Sequence, residues 1–255
     1  MPRHARKKSS IRTYHIIIKG ADRQLLFEEQ KDYLKYLDIL RYYKEKFHFQ
    51  IYAYCLMSNH VHLLIQHSAE FTLESIFRPI NTTYAGWFNH KYQRTGFLQD
   101  GRYHSEPVEN ISYLLTVIRY IHYNQAKAGL EKAPGNSYPW SSFYEYQNGI
   151  TDLTDTEDIL ALFDSPNQFF ESHIDVHSDD CIDIHKIKIR LPDDVAQSII
   201  EENCNCNTVT DFQKLSLSDR NKYLVLLHQK GLSIRQLNRL TGTPRGIIQR
   251  TVINT

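Results

Sequence analysis

Long apolar runs are missing from this 255-residue chain. A helix that crosses a bilayer needs about 18 to 20 consecutive apolar residues, and no stretch approaches that length, so the sequence predicts no membrane span. The opening residues, MPRHARKKSS, also lack the apolar stretch of a secretory signal. We therefore expect a cytoplasmic protein.

Cysteine is also scarce, with four residues in the chain. So small a number argues against the disulfide framework of a small secreted domain and fits a reducing cytosol. Cys204 and Cys206 are one residue apart, but the second ligand pair of a structural zinc site is missing. We interpret these two thiols as structural or incidental.

The formal net charge is only +1, yet charge is segregated along the chain. Residues 1–20 carry six Lys or Arg and no acid, and residues 220–255 carry seven and no acid. Residues 151–185 carry ten acids and no Lys or Arg. Basic segments attract polyanions such as nucleic acids, although a solvated basic face has the same composition.

Hydrophobic periodicity predicts an α+β domain, in which a small antiparallel sheet carries packed helices. The expected order is strand, helix, strand, strand, helix, strand, helix. The corresponding ranges are Tyr14–Lys19, Glu28–Lys46, Phe49–Met57, His60–Gln66, Phe71–Gln93, Gly101–Val108 and a helix from the N-cap Asn110 to a closing Gly129. Pro79 is expected to kink or divide the second helix.

A pair of histidines stands out within the third predicted strand. His60 and His62 are two residues apart, so in a strand both imidazoles project from the same face. Adjacent imidazoles fill a core poorly but bind a divalent metal well. Taken alone, this pair is a weak signal, because such pairs are more often two satisfied or exposed histidines than metal ligands.

A tyrosine and an asparagine on the last predicted helix strengthen the metal interpretation. Tyr120 and Asn124 are four residues apart and share one helix face. A phenol next to an oxygen ligand, presented to a metal site, has the groups needed for attack on a phosphodiester.

Together these segments resemble the single-tyrosine HUH transposases, and most closely the branch that contains REP-associated tyrosine transposases. The resemblance is carried by residues 52–65 (YAYCLMSNHVHLLI), 101–103 (GRY) and 119–130 (RYIHYNQAKAGL), and it extends from about Thr13 to Phe143. It implies an HUH, ferredoxin-like fold. It also implies that Tyr120 cleaves single-stranded DNA through a 5′-phosphotyrosine, and that His60, His62 and Asn124 hold the metal. The family often has Asn-Pro at the end of the tyrosine helix, whereas this chain has Asn124-Gln125.

The metal predicted by this donor set is Mg²⁺ or Mn²⁺. Imidazoles alone suit zinc, but an amide oxygen and a substrate phosphate favour harder ions. We expect Arg102, Arg119 and Lys127 to line the phosphate path, although Arg119 is also compatible with a surface ion pair.

The C-terminal part predicts a helix-turn-helix. Ser218 is expected to begin a helix that ends at Lys230, and Ser233 with Gln236 forms a capping box for a second helix. Thr243 and Pro244 fit the start of a third helix, and Asn238 stands where such motifs usually have alanine, so looser packing is expected. In the major groove Arg245 and Gln249 are predicted to read bases, whereas the predicted phosphate contacts are Arg235, Arg239 and Arg250. A three-helix module for protein contacts remains the alternative.

The resulting prediction has three parts: a catalytic domain at 1–147, an acidic and partly ordered connector at 148–190, and a helical DNA-binding module at 191–255. The expected activity is metal-dependent cleavage and joining of single-stranded or hairpin DNA in transposition, with duplex DNA bound by the C-terminal module, as a monomer or homodimer. A non-catalytic hairpin DNA- or RNA-binding protein, a transcription regulator and a replication nickase remain open.

Overall fold

The computed structural model describes residues 6–130, 133–135, 138–174 and 193–253. They form two compact units, each described by itself here. The first unit contains residues 6–26 and the described residues from 30 to 174, and the second contains 27–29 and 193–253. Within these ranges no helix is long and apolar enough to span a membrane.

The first unit is built on a four-stranded antiparallel sheet of strand order β2-β3-β1-β4. The strands are β1 (Thr13–Lys19), β2 (Gln50–Met57), β3 (His60–Gln66) and β4 (His104–Val108), and the helices between and after them are α1 (Gln30–Phe47), α2 (Leu73–Lys91) and α3 (Ile111–His122). This confirms the predicted α+β class and the order of its elements. Their limits differ from the predicted ones by a few residues.

Local sequence explains why these elements form. In β1 the run of Ile16, Ile17 and Ile18 is buried, as expected for a β-branched segment covered on both faces of a sheet. Thr72 begins α2 through a capping box with Ser75. Pro79 lies inside α2 without dividing it.

The tyrosine helix ends earlier than predicted. Asn110 caps α3 as expected, since its side chain accepts a hydrogen bond from Tyr113 N at 2.8 Å. The helix stops at His122, however, and a separate short helix α4 (Asn124–Lys127) follows. Gly129 then adopts a positive φ of 72°. The single helix predicted to reach Gly129 was therefore wrong, and a break separates Tyr120 from Asn124.

Part of the acidic connector packs on the sheet. It includes the end of α5 (Phe143–Asn148), then α6 (Thr156–Leu160) and α7 (Pro166–Ile174). The buried Glu145 of α5 accepts hydrogen bonds from the Tyr54 hydroxyl and from Leu153 N and Thr154 N. Asp155 accepts one from Ile51 N of β2. These contacts fix the segment around residues 153–155 against β2 and α5, and residues 175–190 of the predicted connector lie outside the described residues.

The second unit is helical. It contains α8 (Asp193–Cys204), α9 (Val209–Lys214), α10 (Leu217–Gln229), α11 (Ile234–Thr241) and α12 (Arg245–Ile253). Its core includes Phe212, Leu237 and Ile248. Cys204 and Cys206 are buried in that core, which agrees with a structural interpretation of both thiols.

The helix starts in this unit follow side-chain caps. Ser216 caps α10, so the prediction of Ser218 was wrong by two residues. The capping box of Ser233 and Gln236 is confirmed. The amide of Asn238 donates to the carbonyl of Thr243 at 2.8 Å and ties the end of α11 to the residue before Pro244.

Candidate active site

His60 and His62 lie side by side on one face of β3. Their ring centroids are 5.0 Å apart, and the neighbouring residues across the ladder in β1 are Lys19 and Ile17 respectively. Both side chains are buried, with 3% and 1% exposure. The spacing in sequence thus produces two converging imidazoles, recessed below the protein surface.

Each imidazole uses one nitrogen for a hydrogen bond within the protein. His60 Nδ1 lies 2.8 Å from Asn59 Oδ1, and His62 Nδ1 lies 3.0 Å from His15 Nε2. Both contacts leave Nε2 of the two rings for another partner. Metal-binding histidines usually have this arrangement, with one nitrogen on the metal and the other held by an outer group.

His15 is a candidate site residue that the sequence analysis did not single out. It lies in β1, is fully buried, and stacks on His62 with ring centroids 5.2 Å apart. Its Nδ1 faces Glu106 Oε2 at 3.8 Å, since His15 and Glu106 are directly opposite in the pairing of β1 with β4. The three side chains form a row, Glu106–His15–His62.

Burial keeps the two candidate ligands neutral. Desolvation, with a smaller effect of Lys19, lowers the pKa of His60 to about 3. Desolvation also lowers the pKa of His62 well below its usual value, and the nearby His60 and His15 add to the shift. Neutral imidazole is the form that binds a metal, so neither ring must lose a proton at neutral pH.

Tyr120 of α3 lies against this histidine group. Its ring centroid is 5.6 Å from that of His62 and 5.7 Å from that of His15. The side chain is 4% exposed, and the ammonium of Lys127 lies 4.3 Å from the ring centroid. The Lys127 cation favours the phenolate form of Tyr120, against the desolvation that burial of the phenol imposes.

Asn124 is held next to Tyr120 by a local bond. Its amide nitrogen donates to the Tyr120 carbonyl at 2.9 Å, which leaves Oδ1 as the acceptor that can bind another group. Within the described ranges no cluster of three or more His, Cys, Asp or Glu is arranged to hold a metal. The predicted donor set of two imidazole nitrogens and an amide oxygen would suit Mn²⁺ or Mg²⁺ completed by water and phosphate oxygens.

The basic residues predicted to touch DNA have different surroundings. Arg102 is exposed in the loop before β4, and Lys127 is exposed above Tyr120. Arg119 is half-buried and donates to the Thr116 hydroxyl at 3.1 Å, so part of its hydrogen-bonding capacity is used inside α3.

In the second unit Arg235, Arg245 and Gln249 are exposed. Arg239 forms an ion pair with Asp193 at 2.5 Å. Arg250 bonds the Gly246 carbonyl, one turn earlier in α12. Of the five predicted contacts, these last two already have partners within the unit.

Comparison with known proteins gives a matching family, and the similar structures include two transposases. Residues 8–124 match the family described as "Transposase IS200 like". A REP-associated tyrosine transposase bound to a REP hairpin is similar at 18% identity, with a TM-score of 0.50, over 60% of this chain and 90% of that one. A putative transposase from Deinococcus radiodurans is 21% identical over 44% of this chain and 91% of that one, with a TM-score of 0.33. No protein of curated function matches.

Proposed function

Because residues 8–124 belong to the IS200-like transposase family, we propose that this chain cuts and rejoins single-stranded DNA with Tyr120 as nucleophile and a divalent metal, as HUH enzymes do. The observation that carries the proposal is the contact of the Tyr120 ring with His62 and His15, next to two open Nε2 atoms. A transposase bound to a hairpin has the same fold, which supports hairpin DNA as the substrate.

The proposed reaction exchanges one phosphodiester for another. The Tyr120 phenol loses its proton, and its oxygen bonds to phosphorus. The bond from phosphorus to the 3′ oxygen breaks, and that oxygen takes up a proton and leaves as a 3′-hydroxyl. The 5′ end stays bound to the tyrosine through a phosphodiester, which conserves the energy of the bond that was broken. A 3′-hydroxyl that attacks this intermediate later can therefore reverse the step.

The residues of the proposed site have different roles in this step. His60, His62 and Asn124 would hold Mg²⁺ or Mn²⁺, which when bound polarises the phosphate and offsets its charge. An isolated tyrosine has a pKa of about 10, and the Lys127 ammonium lowers the cost of the phenolate by its position over the ring. The burial of Tyr120 would limit the access of water that competes with the phenol.

Cleavage assays on matched oligonucleotides test the proposal. We expect metal-dependent cutting of a strand with an unpaired segment beside a hairpin stem, and no cutting of the same sequence as plain duplex, because in-line attack needs a strand that can bend away from its partner. Equal cutting of both on a denaturing gel would contradict the proposal. Tight binding without any cutting would instead indicate a non-catalytic hairpin-binding or regulatory protein.

His15 is predicted to position His62 for the metal. Substituting His15→Ala removes the group that holds His62 Nδ1, and we expect Mn²⁺ affinity to fall about 10- to 100-fold. Glu106→Gln should cause a smaller loss, since Glu106 is 3.8 Å from His15 and partly exposed. Mn²⁺ titration by calorimetry measures both effects.

Thermal unfolding of the same His15 and Glu106 variants is the control. A purely structural His15 would lower the melting temperature without changing Mn²⁺ affinity of the folded protein. Partial recovery of Mn²⁺ affinity in His15→Gln, whose amide can still bond His62, is expected only for a positioning role.

For the second unit we propose duplex binding by α11 and α12 as a helix-turn-helix. Deleting residues 215–255 should weaken binding to stem-bearing DNA about 10-fold or more, because two linked modules bind one DNA more tightly than either alone. Metal-dependent cutting should persist at high protein concentration. Equal stem affinity of the truncated and full-length chains in a gel-shift assay would reassign this unit to protein contacts.

Two arginines in α12 should behave differently in the full-length protein. Arg245→Ala should change sequence preference, whereas Arg250→Ala should mainly reduce affinity and its salt dependence. The contrast follows from the predicted base contact of Arg245 and the predicted phosphate contact of Arg250.

A further inference from the structure

A groove lies between the exposed face of α2 and the loop 96–103, separate from the histidine site. Its volume is about 520 Å³, within the range of sites that take small molecules or single nucleotides. Ala85 and Gly86 form part of its wall, and a Cβ atom added at Gly86 would have no other atom within 4 Å. The groove is therefore open at this point of α2.

Three guanidinium groups from different parts of the chain line this groove: Arg6, Arg78 of α2 and Arg102 of the loop. Glu74 is the one carboxylate in the lining. Arg78 and Arg102 are exposed, and neither has an ion pair or hydrogen-bond partner within the part of the chain that the structure describes. Arg6 stacks on Tyr103 with its guanidinium carbon 3.9 Å from the ring centroid. The excess positive charge favours an anionic ligand.

Phe97 in the lining is 90% exposed. The backbone around it is fixed: Gln24 Nε2 donates to the Phe97 carbonyl at 2.9 Å, and Asn89 Nδ2 donates to the Gly96 carbonyl at 3.0 Å. Ala21 N donates to the Leu98 carbonyl at 3.0 Å. An aromatic ring is thus presented to solvent from an anchored loop, as in the stacking platforms of proteins that bind single strands.

The wall of the groove is joined to the strand that borders the histidine site. Asp100 N donates to the Lys19 carbonyl at 2.8 Å, and Gln99 pairs with Gly20. Lys19 is paired with His60 across the ladder. The loop that forms this wall is therefore hydrogen-bonded to the end of β1 that lies beside His60.

We propose that this groove binds unpaired nucleotides of the DNA substrate beside the cleaved bond, with a base stacked on Phe97 and the phosphates at Arg78 and Arg102. The exposed ring on a fixed loop, the unpaired guanidinium groups and the continuity with β1 carry this inference. It rests on the proposed function, since it concerns the DNA that Tyr120 would cut. A stacking platform accepts any base, so the groove selects for unpaired structure and contributes little to sequence preference.

The test is equilibrium binding in the full-length Tyr120→Phe protein without metal, where no cutting occurs. Fluorescence anisotropy compares a DNA hairpin that carries an unpaired flank with the same hairpin lacking the flank. Phe97→Ala should weaken binding of the flanked hairpin about 10-fold and leave the bare hairpin unchanged. Phe97→Trp should retain the affinity for the flanked hairpin.

Three further variants test how the volume of the groove, its charge and aromatic exposure in general contribute to binding of the flanked hairpin. Gly86→Leu should weaken flanked-hairpin binding by filling the groove, with an unchanged melting temperature as evidence of folding. Arg78→Gln should reduce the salt dependence of that binding. Tyr42→Ala is the matched control, because Tyr42 is also an exposed aromatic residue, at 58%, but does not line the groove, and it should have no effect.

The outcomes distinguish this inference from the proposed function. Equal affinities of Phe97→Ala and its parent for the flanked hairpin would overturn the groove assignment while the cutting assay still stands. Equal losses on the flanked and bare hairpins would also overturn it, by showing that Phe97 contacts the stem. Tighter binding of the same flank as RNA would reject DNA as its ligand, and failure of the parent to bind any hairpin would reject the proposed function itself.

Discussion

Tyr120→Phe is expected to reduce cleavage of hairpin DNA by about 10³-fold or more, because it removes the oxygen that attacks phosphorus. The change deletes one atom from a ring that is 96% buried against His62 and His15, so packing is retained. A denaturing gel should show loss of both the shortened strand and the covalent protein–DNA product. Binding of hairpin DNA should stay within about twofold of the parent.

Tyr123→Phe is the matched control for that substitution. Tyr123 is three residues further along the chain than Tyr120. Its hydroxyl donates to the backbone carbonyl of His173, which does not belong to the group formed by His15, His60 and His62. This variant should form the covalent product normally. Covalent product with Tyr120→Phe but not with Tyr123→Phe would assign the nucleophile to Tyr123 and reject our choice.

His60→Ala is the second substitution with a large expected effect. Loss of one of two imidazole ligands should reduce cutting about 100-fold or more at moderate Mn²⁺. Chelation of the metal in the parent protein should have the same effect and be reversed by adding Mn²⁺ or Mg²⁺. The measurement is the cutting rate as a function of metal concentration.

A buried site complicates His60→Ala, since the side chain is 3% exposed and its removal leaves a cavity. His60→Gln is therefore tested beside it, because the amide fills most of the space. Cutting that no longer requires added metal in either variant, or full cutting in the parent after chelation, would contradict a metal-dependent reaction.

Local pattern was sufficient for several features of this protein. The i, i+2 spacing of His60 and His62 required a common face once β3 formed, since alternation along a strand has a period of two. The caps at Asn110 and Ser233 were predictable because a cap bonds within its own first turn. The family resemblance could be inferred from the histidine pair and the tyrosine helix, because each of these two motifs is a continuous stretch of sequence.

Other features depended on which strands became neighbours. His15 is 47 residues from its partner His62, and only the antiparallel pairing of β1 with both β3 and β4 brings His15 between His62 and Glu106. No periodicity within β1 predicts that pairing, because register is decided by burial across the whole sheet. The break after His122 could not be predicted either, because the helical sequence pattern continues in phase to Gly129.

The groove at α2 is another feature that depends on tertiary packing and not on local sequence. Phe97, Arg78 and Arg102 have no common spacing in the sequence, and an exposed phenylalanine in a loop cannot be told from a buried one by composition. The bond from Gln24 that helps to fix this loop joins residues 73 positions apart in the chain. The sequence by itself determined the strands, the helix caps and the pairing of His60 with His62, since these depend on neighbours along the chain. Tertiary packing decided the position of His15 and the groove, since these depend on neighbours in space.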